Sequence, residues 1–199
     1  ENTVVHFGSN TDEQFSVDAP KSAFCLLPND SVNIAAIKAY LHARLTDLLP
    51  ENISTIEIGL RDEQKDNAIW FRYSHGLKKH NGNCQRITHG HRSRLEIHID
   101  GTRDHALERE WVSRLDNIYI ATREDLEQSS DRISRFSYAA EHGTFSLSLP
   151  EQRVWLVDCD STIEEIAQTL AEAVAKNIPG KSVKLIAYEG VDKGAIGLV

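Results

Sequence analysis

His75-Gly-Leu-Lys-Lys-His-Asn-Gly-Asn-Cys84-Gln-Arg-Ile-Thr-His89-Gly-His91 places spaced imidazoles and one thiol within seventeen residues. The run after it, Arg94-Leu-Glu-Ile-His-Ile99, alternates polar and apolar, so His89-Gly-His91 is expected to lead into a strand. Strand side chains repeat with period two, which turns His89 and His91 to one face. Ahead of the stretch, Ile69-Trp-Phe-Arg-Tyr73 reads as a second strand that ends near His75. The intervening loop, Lys78 to Asn83, is polar and holds Gly82, as a turn should. A hairpin of this kind gathers His75, His89 and His91 as a three-histidine set. Such a set suits zinc with a fourth position open to water or substrate, the arrangement of a catalytic site rather than a closed structural one. Cys84 lies beside it as a candidate nucleophile or base, since a thiol next to a cation has its pKa lowered.

Outward from this hairpin, Phe71-Arg-Tyr-Ser-His75 followed by Cys84-Gln-Arg-Ile-Thr-His89-Gly-His91 and a strand resembles the signature of the 6-pyruvoyltetrahydropterin and 6-carboxytetrahydropterin synthase family. The resemblance covers about residues 68 to 199 in separated blocks. It implies an α+β tunnelling fold, in which an antiparallel sheet carries helices on one face and subunits close into an oligomeric barrel. It also implies that His75, His89 and His91 hold zinc and that Cys84 is the catalytic thiol. A helix start at Ser161-Thr-Ile-Glu164 and a strand Val183-Lys-Leu-Ile-Ala-Tyr-Glu189 match two further blocks, and Glu189 would then bind the pterin ring. A carboxylate at a strand end can accept two hydrogen bonds from such an amidine-like edge. The family pattern also includes an Asp-His pair that relays protons. Here Leu115-Asp116-Asn117 has asparagine where that histidine would fall, and neither Glu141-His142 nor Asp104-His105 fits the expected spacing, so the relay stays unassigned.

The chain repeats itself. Phe15-Ser-Val-Asp-Ala-Pro20 echoes Phe145-Ser-Leu-Ser-Leu-Pro150, and an apolar strand follows each. Asn29-Asp-Ser31 and Cys159-Asp-Ser161 then read as helix caps before helices over roughly 32–48 and 162–176. Ile56-Glu-Ile-Gly-Leu-Arg-Asp62 parallels Val183 to Glu189, so Asp62 is the expected counterpart of Glu189. Two related units in tandem follow from this: an incomplete first tunnelling-fold unit over 1–70, which offers only its latter half, and a second over 71–199 that carries the zinc site. Between them the segment 101–131 is charged and partly helical, and 124–134 is polar and expected to be mobile.

Composition bounds the function. The 199 residues are 40% apolar, enough for a core, and no run of 18 apolar residues is present to span a membrane. A net charge of −8 disfavours nucleic acid and anionic membranes as partners. Lys78, Lys79, Arg86, Arg92 and Arg94 nevertheless crowd the proposed site, where they could attract a phosphorylated substrate. Three cysteines, an odd and sparse set, suggest a reducing, cytoplasmic setting and no disulfide framework.

The expectation is a zinc-dependent lyase acting on dihydroneopterin triphosphate with loss of triphosphate. Its product would be 6-carboxytetrahydropterin, on the queuosine pathway, or 6-pyruvoyltetrahydropterin. The alternative is a non-catalytic tunnelling-fold protein that binds zinc and pterin but has lost the proton relay. In both readings the partner is a small-molecule pterin and the chain forms a homo-oligomer, a trimer or hexamer-like ring, because a half-barrel leaves strand edges to be closed.

Overall fold

The computed structural model describes residues 1–8, 13–27, 32–61, 66–130 and 132–199. They form two compact units, one of residues 1–23 with 67–199 and one of residues 24–66. This grouping differs from a division at residue 70, because strand pairing ties the first segment of the chain to its second half.

In the larger unit, β1 (Asn2–Gly8) and β2 (Gln14–Pro20) form a hairpin. β3 (Phe71–His75) then leads through the cysteine loop to β4 (His89–Ser93), β5 (Leu95–Ile99) and the short β6 (Thr102–Arg103). Helix α2 (His105–Leu115) follows, numbered after α1 of the smaller unit (Ile34–Thr46), and then β7 (Ile118–Thr122), β8 (Leu126–Ser130), β9 (Ile133–Ala140) and β10 (Gly143–Pro150). β11 (Val154–Val157), α3 (Ile163–Asn177), β12 (Val183–Tyr188) and β13 (Gly194–Leu198) complete the chain. The three sheets run β1-β2-β10-β9-β8, β11-β7-β3-β4 and β13-β12-β5-β6.

The architecture is α+β, as expected, but the second sheet is mixed rather than antiparallel: β7 runs parallel to both β3 and β11. Parallel neighbours need a long crossover, and α2 supplies it between β3 and β7. The echoing strands β2 and β10 pair directly with one another, Val17 opposite Leu147 and Ser16 opposite Ser148. The segment 124–134, expected to be mobile, instead contributes β8, the edge strand of the first sheet. Its polar composition reflects that edge position, where charged and polar side chains blunt unwanted pairing.

The main core lies where α2 and α3 cover one face of the joined second and third sheets. Trp111, Val112 and Leu115 of α2 and Ile163, Ile166, Leu170 and Val174 of α3 meet Phe71, Tyr73, Leu95, Ile97, Val183 and Leu185. Helix α3 forms because Thr162 caps it, its hydroxyl accepting the Glu165 amide at 3.4 Å, and because its apolar residues recur at three- and four-residue spacing. The cap therefore sits one residue beyond the expected Cys159-Asp-Ser161, which frees Ser161 for another task. Close approach of α3 to β13 depends on Gly197, where an added Cβ would run into the Ala167 carbonyl.

The smaller unit holds α1, capped by Asn33, whose side chain accepts the Ala36 amide at 3.0 Å. The cap expected at Asn29-Asp-Ser31 and the residue Asp62 lie outside the described residues. Residues 53–61 carry no regular structure, whereas their expected counterpart is strand β12.

Candidate metal and pterin site

The site grows from the pairing of β3 with β4. Their register sets His75 opposite His89 and Tyr73 opposite His91. Opposed residues share a face and alternate residues along a strand return to it, so three imidazoles converge. Ring centroids lie 4.4 Å apart for His75 and His89, 5.0 Å for His75 and His91, and 5.0 Å for His89 and His91. Their ligand atoms all fall within 4.8 Å of one another, a cluster able to hold a metal ion.

The state of each ring suits that task. His75 is buried, and its Nδ1 faces the Ser161 carbonyl at 2.6 Å, which fixes the proton on Nδ1 and leaves the Nε2 lone pair free. His75 Nε2, both nitrogens of His89 and His91 Nε2 are buried without a hydrogen-bond partner, an arrangement that costs stability unless something else occupies them. Burial, followed by the charges of His89 and His91, holds the His75 pKa down to about 3, against the pull of the Ser161 carbonyl. Burial and the His91 charge lower His89 as well, and burial lowers His91 although Glu189 opposes it. All three rings are therefore neutral near pH 7, as metal ligands must be. Three nitrogen donors with no thiolate or carboxylate among them fit a zinc ion that keeps a position open.

Glu189 reaches the cluster because β12 continues its pairing past its own end. Tyr188 N donates to the Arg94 carbonyl at 3.2 Å and Gly190 N to the Arg92 carbonyl at 2.9 Å, which draws Glu189 alongside β4. Its Oε1 stands 3.1 Å from His91 Nε2, in ion-pair range but without hydrogen-bond geometry, and its Oε2 accepts from Lys193 Nζ at 2.5 Å. Tyr73, packed between His75 and His91, has a buried hydroxyl with no partner; burial and then the Glu189 charge push its pKa up.

Cys84 lies in a short 3-10 turn, Asn83–Gln85, half-buried and free of any disulfide. The turn opens at Gly82, whose φ of 87° is easy for glycine alone. Cys84 does not join the donor cluster, and it interacts weakly with Lys193. The Lys193 pKa is raised mainly by its bond to Glu189, with smaller contributions from Glu164 and Cys84. The structure thus brings His75, His89, His91 and Glu189 together, and Cys84 sits in the loop that joins the two histidine strands.

Other expectations fall differently. Three of the hairpin cations are held by carboxylates: Lys78 by Asp125 and Glu124 at 2.7 and 2.6 Å, Lys79 by Asp160 at 3.1 Å, and Arg94 by Glu96 at 2.8 Å. Asp116 accepts the Arg72 amide at 2.9 Å, and Asp104 caps α2 while His105 pairs with Glu108, so these residues serve the fold. Of the Asp-His-like pairs, only Glu141-His142 reaches the cysteine loop, through the His142 amide. Sequence reasoning missed Lys193 and the Ser161 link to His75; the only signal for either was adjacency to Glu189 and to the α3 cap.

A sequence model of the 6-pyruvoyl tetrahydropterin synthase family matches residues 66–195, well over half the chain. A solved structure of a catalytic-residue variant of Plasmodium vivax 6-pyruvoyltetrahydropterin synthase superposes with a TM-score of 0.50 at 17% identity, covering 65% of this chain and 91% of that one. The Plasmodium falciparum 6-pyruvoyl tetrahydropterin synthase gives 0.47 at 17% identity over the same shares. At such identity the first likeness speaks for the fold alone. No curated protein matches the chain. The family match spans the histidine hairpin, the cysteine loop and the Glu189 strand, and the chain belongs to the 6-pyruvoyl tetrahydropterin synthase family.

Proposed function

We propose that this protein is a zinc-dependent pterin lyase acting on dihydroneopterin triphosphate, releasing triphosphate and leaving a 6-carboxy- or 6-pyruvoyltetrahydropterin. The observation that carries the reading is the triad of neutral imidazoles with buried nitrogens that make no hydrogen bond, with the Glu189 carboxylate beside it. His75, His89 and His91 would hold the ion, with Ser161 orienting His75 from behind. Bound zinc supplies Lewis-acid polarisation of a substrate oxygen.

Glu189 is suited to bind the amidine edge of the pterin ring by two hydrogen bonds. Its carboxylate is already partly buried and paired with Lys193, so a ring that donates two N–H groups replaces one cation contact rather than ordering a mobile side chain. Cys84 is the proposed proton carrier: its thiolate accepts a proton from the substrate side chain as the carbon–oxygen bond to triphosphate breaks. The Lys193 ammonium pairs with the Glu189 carboxylate, and that bond is the main cause of its raised pKa. Closure of several chains into a ring, and a queuosine-pathway product, belong to the same proposal and rest on family membership.

Triphosphate release measured with the metal-loaded protein, the chelated protein and Cys84→Ala tests the reading. Release by the loaded wild type, loss on chelation and a fall of about 10²–10⁴ in kcat for Cys84→Ala are expected. Absence of metal-dependent release would leave a pterin- and metal-binding protein without lyase activity.

A further inference from the structure

The loop of residues 76–88 joins the two histidine strands and carries Cys84, and the segment just after the cysteine is held from outside. Within the loop Leu77 N donates to the Cys84 carbonyl at 2.9 Å, Gln85 N to the Gly82 carbonyl at 3.2 Å and Arg86 N to the Asn83 carbonyl at 3.1 Å. From outside, the Tyr138 hydroxyl on β9 donates to the Gln85 carbonyl at 2.9 Å. The His142 amide, in the turn that follows β9, donates to Gln85 Oε1 at 3.2 Å. The Tyr119 hydroxyl on β7 donates to the Ile87 carbonyl at 2.9 Å. The residue next to the thiol is therefore gripped by its backbone and by its side chain, both from the β9–β10 hairpin.

Burial makes the grip firm. Gln85 is 4% exposed and Ile87 1%, and Tyr138 is 7% exposed, so water has little access to replace a lost donor. Packing is tight as well: a Cβ at Gly76 would collide with the Tyr138 hydroxyl and come within 2.5 Å of the Ile87 carbonyl oxygen. Cys84 has no disulfide, so the place of its sulfur follows from the backbone of its own turn.

We infer that Tyr138 is a positioning residue, whose hydroxyl, together with the His142 amide, fixes the Gln85 peptide and so sets where the Cys84 thiol sits. The first sheet, which supplies no metal donor, thereby acts on the site from behind. For catalysis this rests on the lyase reading, because misplacing a proton carrier by a fraction of an ångström lowers turnover more than substrate binding. The structural half of the inference, control of the thiol by Tyr138, stands apart from it.

The test is Tyr138→Phe, which removes only the hydroxyl, read by iodoacetamide alkylation of the Cys84 peptide in mass spectrometry with Cys25 and Cys159 as internal references. Alkylation of Cys84 should change by at least about threefold with the other two cysteines unmoved, because access and thiolate environment set that rate. With substrate, kcat should fall about tenfold while KM shifts less than about twofold. Leu147→Ala, which loosens the same sheet through an apolar side chain, should leave Cys84 alkylation at the wild-type rate. If Tyr138→Phe does not fold, Gln85→Met, which removes the acceptor of the His142 amide, must produce the same selective change. Wild-type alkylation in the informative variant, or an equal change in Leu147→Ala, overturns the inference. If no protein releases triphosphate, the lyase reading fails while the alkylation comparison still decides this one.

Discussion

Helices α1 and α3 begin alike, each with a side-chain oxygen accepting an amide of its first turn, and they end in different surroundings. Helix α3 buries Ile163, Ile166, Ala167, Leu170, Ala171 and Val174 in the main core. Helix α1 buries Ala36 alone, and Ile34, Leu45 and the following Leu48 are 62%, 39% and 73% exposed. Apolar residues in a helix are thus a demand for a partner and do not by themselves make a core. The difference also divides the chemistry: His75, Cys84, His89, His91 and Glu189 all belong to the unit that has the core. A metal triad needs rigid strands, and the unit of residues 24–66 has none among its described residues.

The largest expected effect separates the two units by activity. His89→Ala should lower bound metal to near zero, by metal analysis, and reduce triphosphate release by at least about 10³-fold. Ile53→Ala in the smaller unit should leave both at wild-type values. An equal loss in the two variants would break the contrast.

Stability offers the next comparison. Leu170→Ala, at a site 1% exposed, should cost about 2–5 kcal/mol in urea unfolding. Ile34→Ala should stay within about 0.5 kcal/mol. Trp70, Trp111 and Trp155 all lie in the larger unit, so tryptophan fluorescence reports that unit, and far-ultraviolet circular dichroism adds α1. A cost at Ile34 equal to that at Leu170 would mean that the exposed apolar side chains of α1 are covered in solution, and would point to self-association.

The smallest effect is acid sensitivity. Burial raises the Glu108 carboxyl pKa, but the hydrogen bonds from Arg103, His105 and the Ile97 amide outweigh it and leave the group below the usual glutamate range. A carboxylate with a folded pKa below its unfolded one adds stability that is present above the unfolded value and lost as pH falls through the folded one. Glu108→Gln should therefore flatten the decline in stability of the larger unit below about pH 4.5. An unchanged acid limb would remove Glu108 from the account.

Much of the site was legible in residue order because its parts are local. Period two placed His89 and His91 on one face, and Gly82 marked the turn between strands whose apolar runs were plain. Three- and four-residue spacing identified α3 to within a residue. Edge and parallel placements were not legible: β8 reads as a polar linker until β9 is found beside it, and β7 carries no mark of its direction. The apparent surplus of positive charge at the hairpin also shrank once Asp125, Glu124 and Asp160, from later in the chain, paired with Lys78 and Lys79.

The amino-acid order by itself determined which side chains could ligate an ion and which strand face they share, since backbone geometry translates spacing into direction without help from distant residues. Only the tertiary structure decided that Ser161 backs His75 across 86 residues, that Lys193 meets Glu189, and that Tyr138 holds the cysteine loop. Those contacts depend on sheet order and helix packing, and a buried donor takes whichever acceptor the fold delivers within about 3 Å.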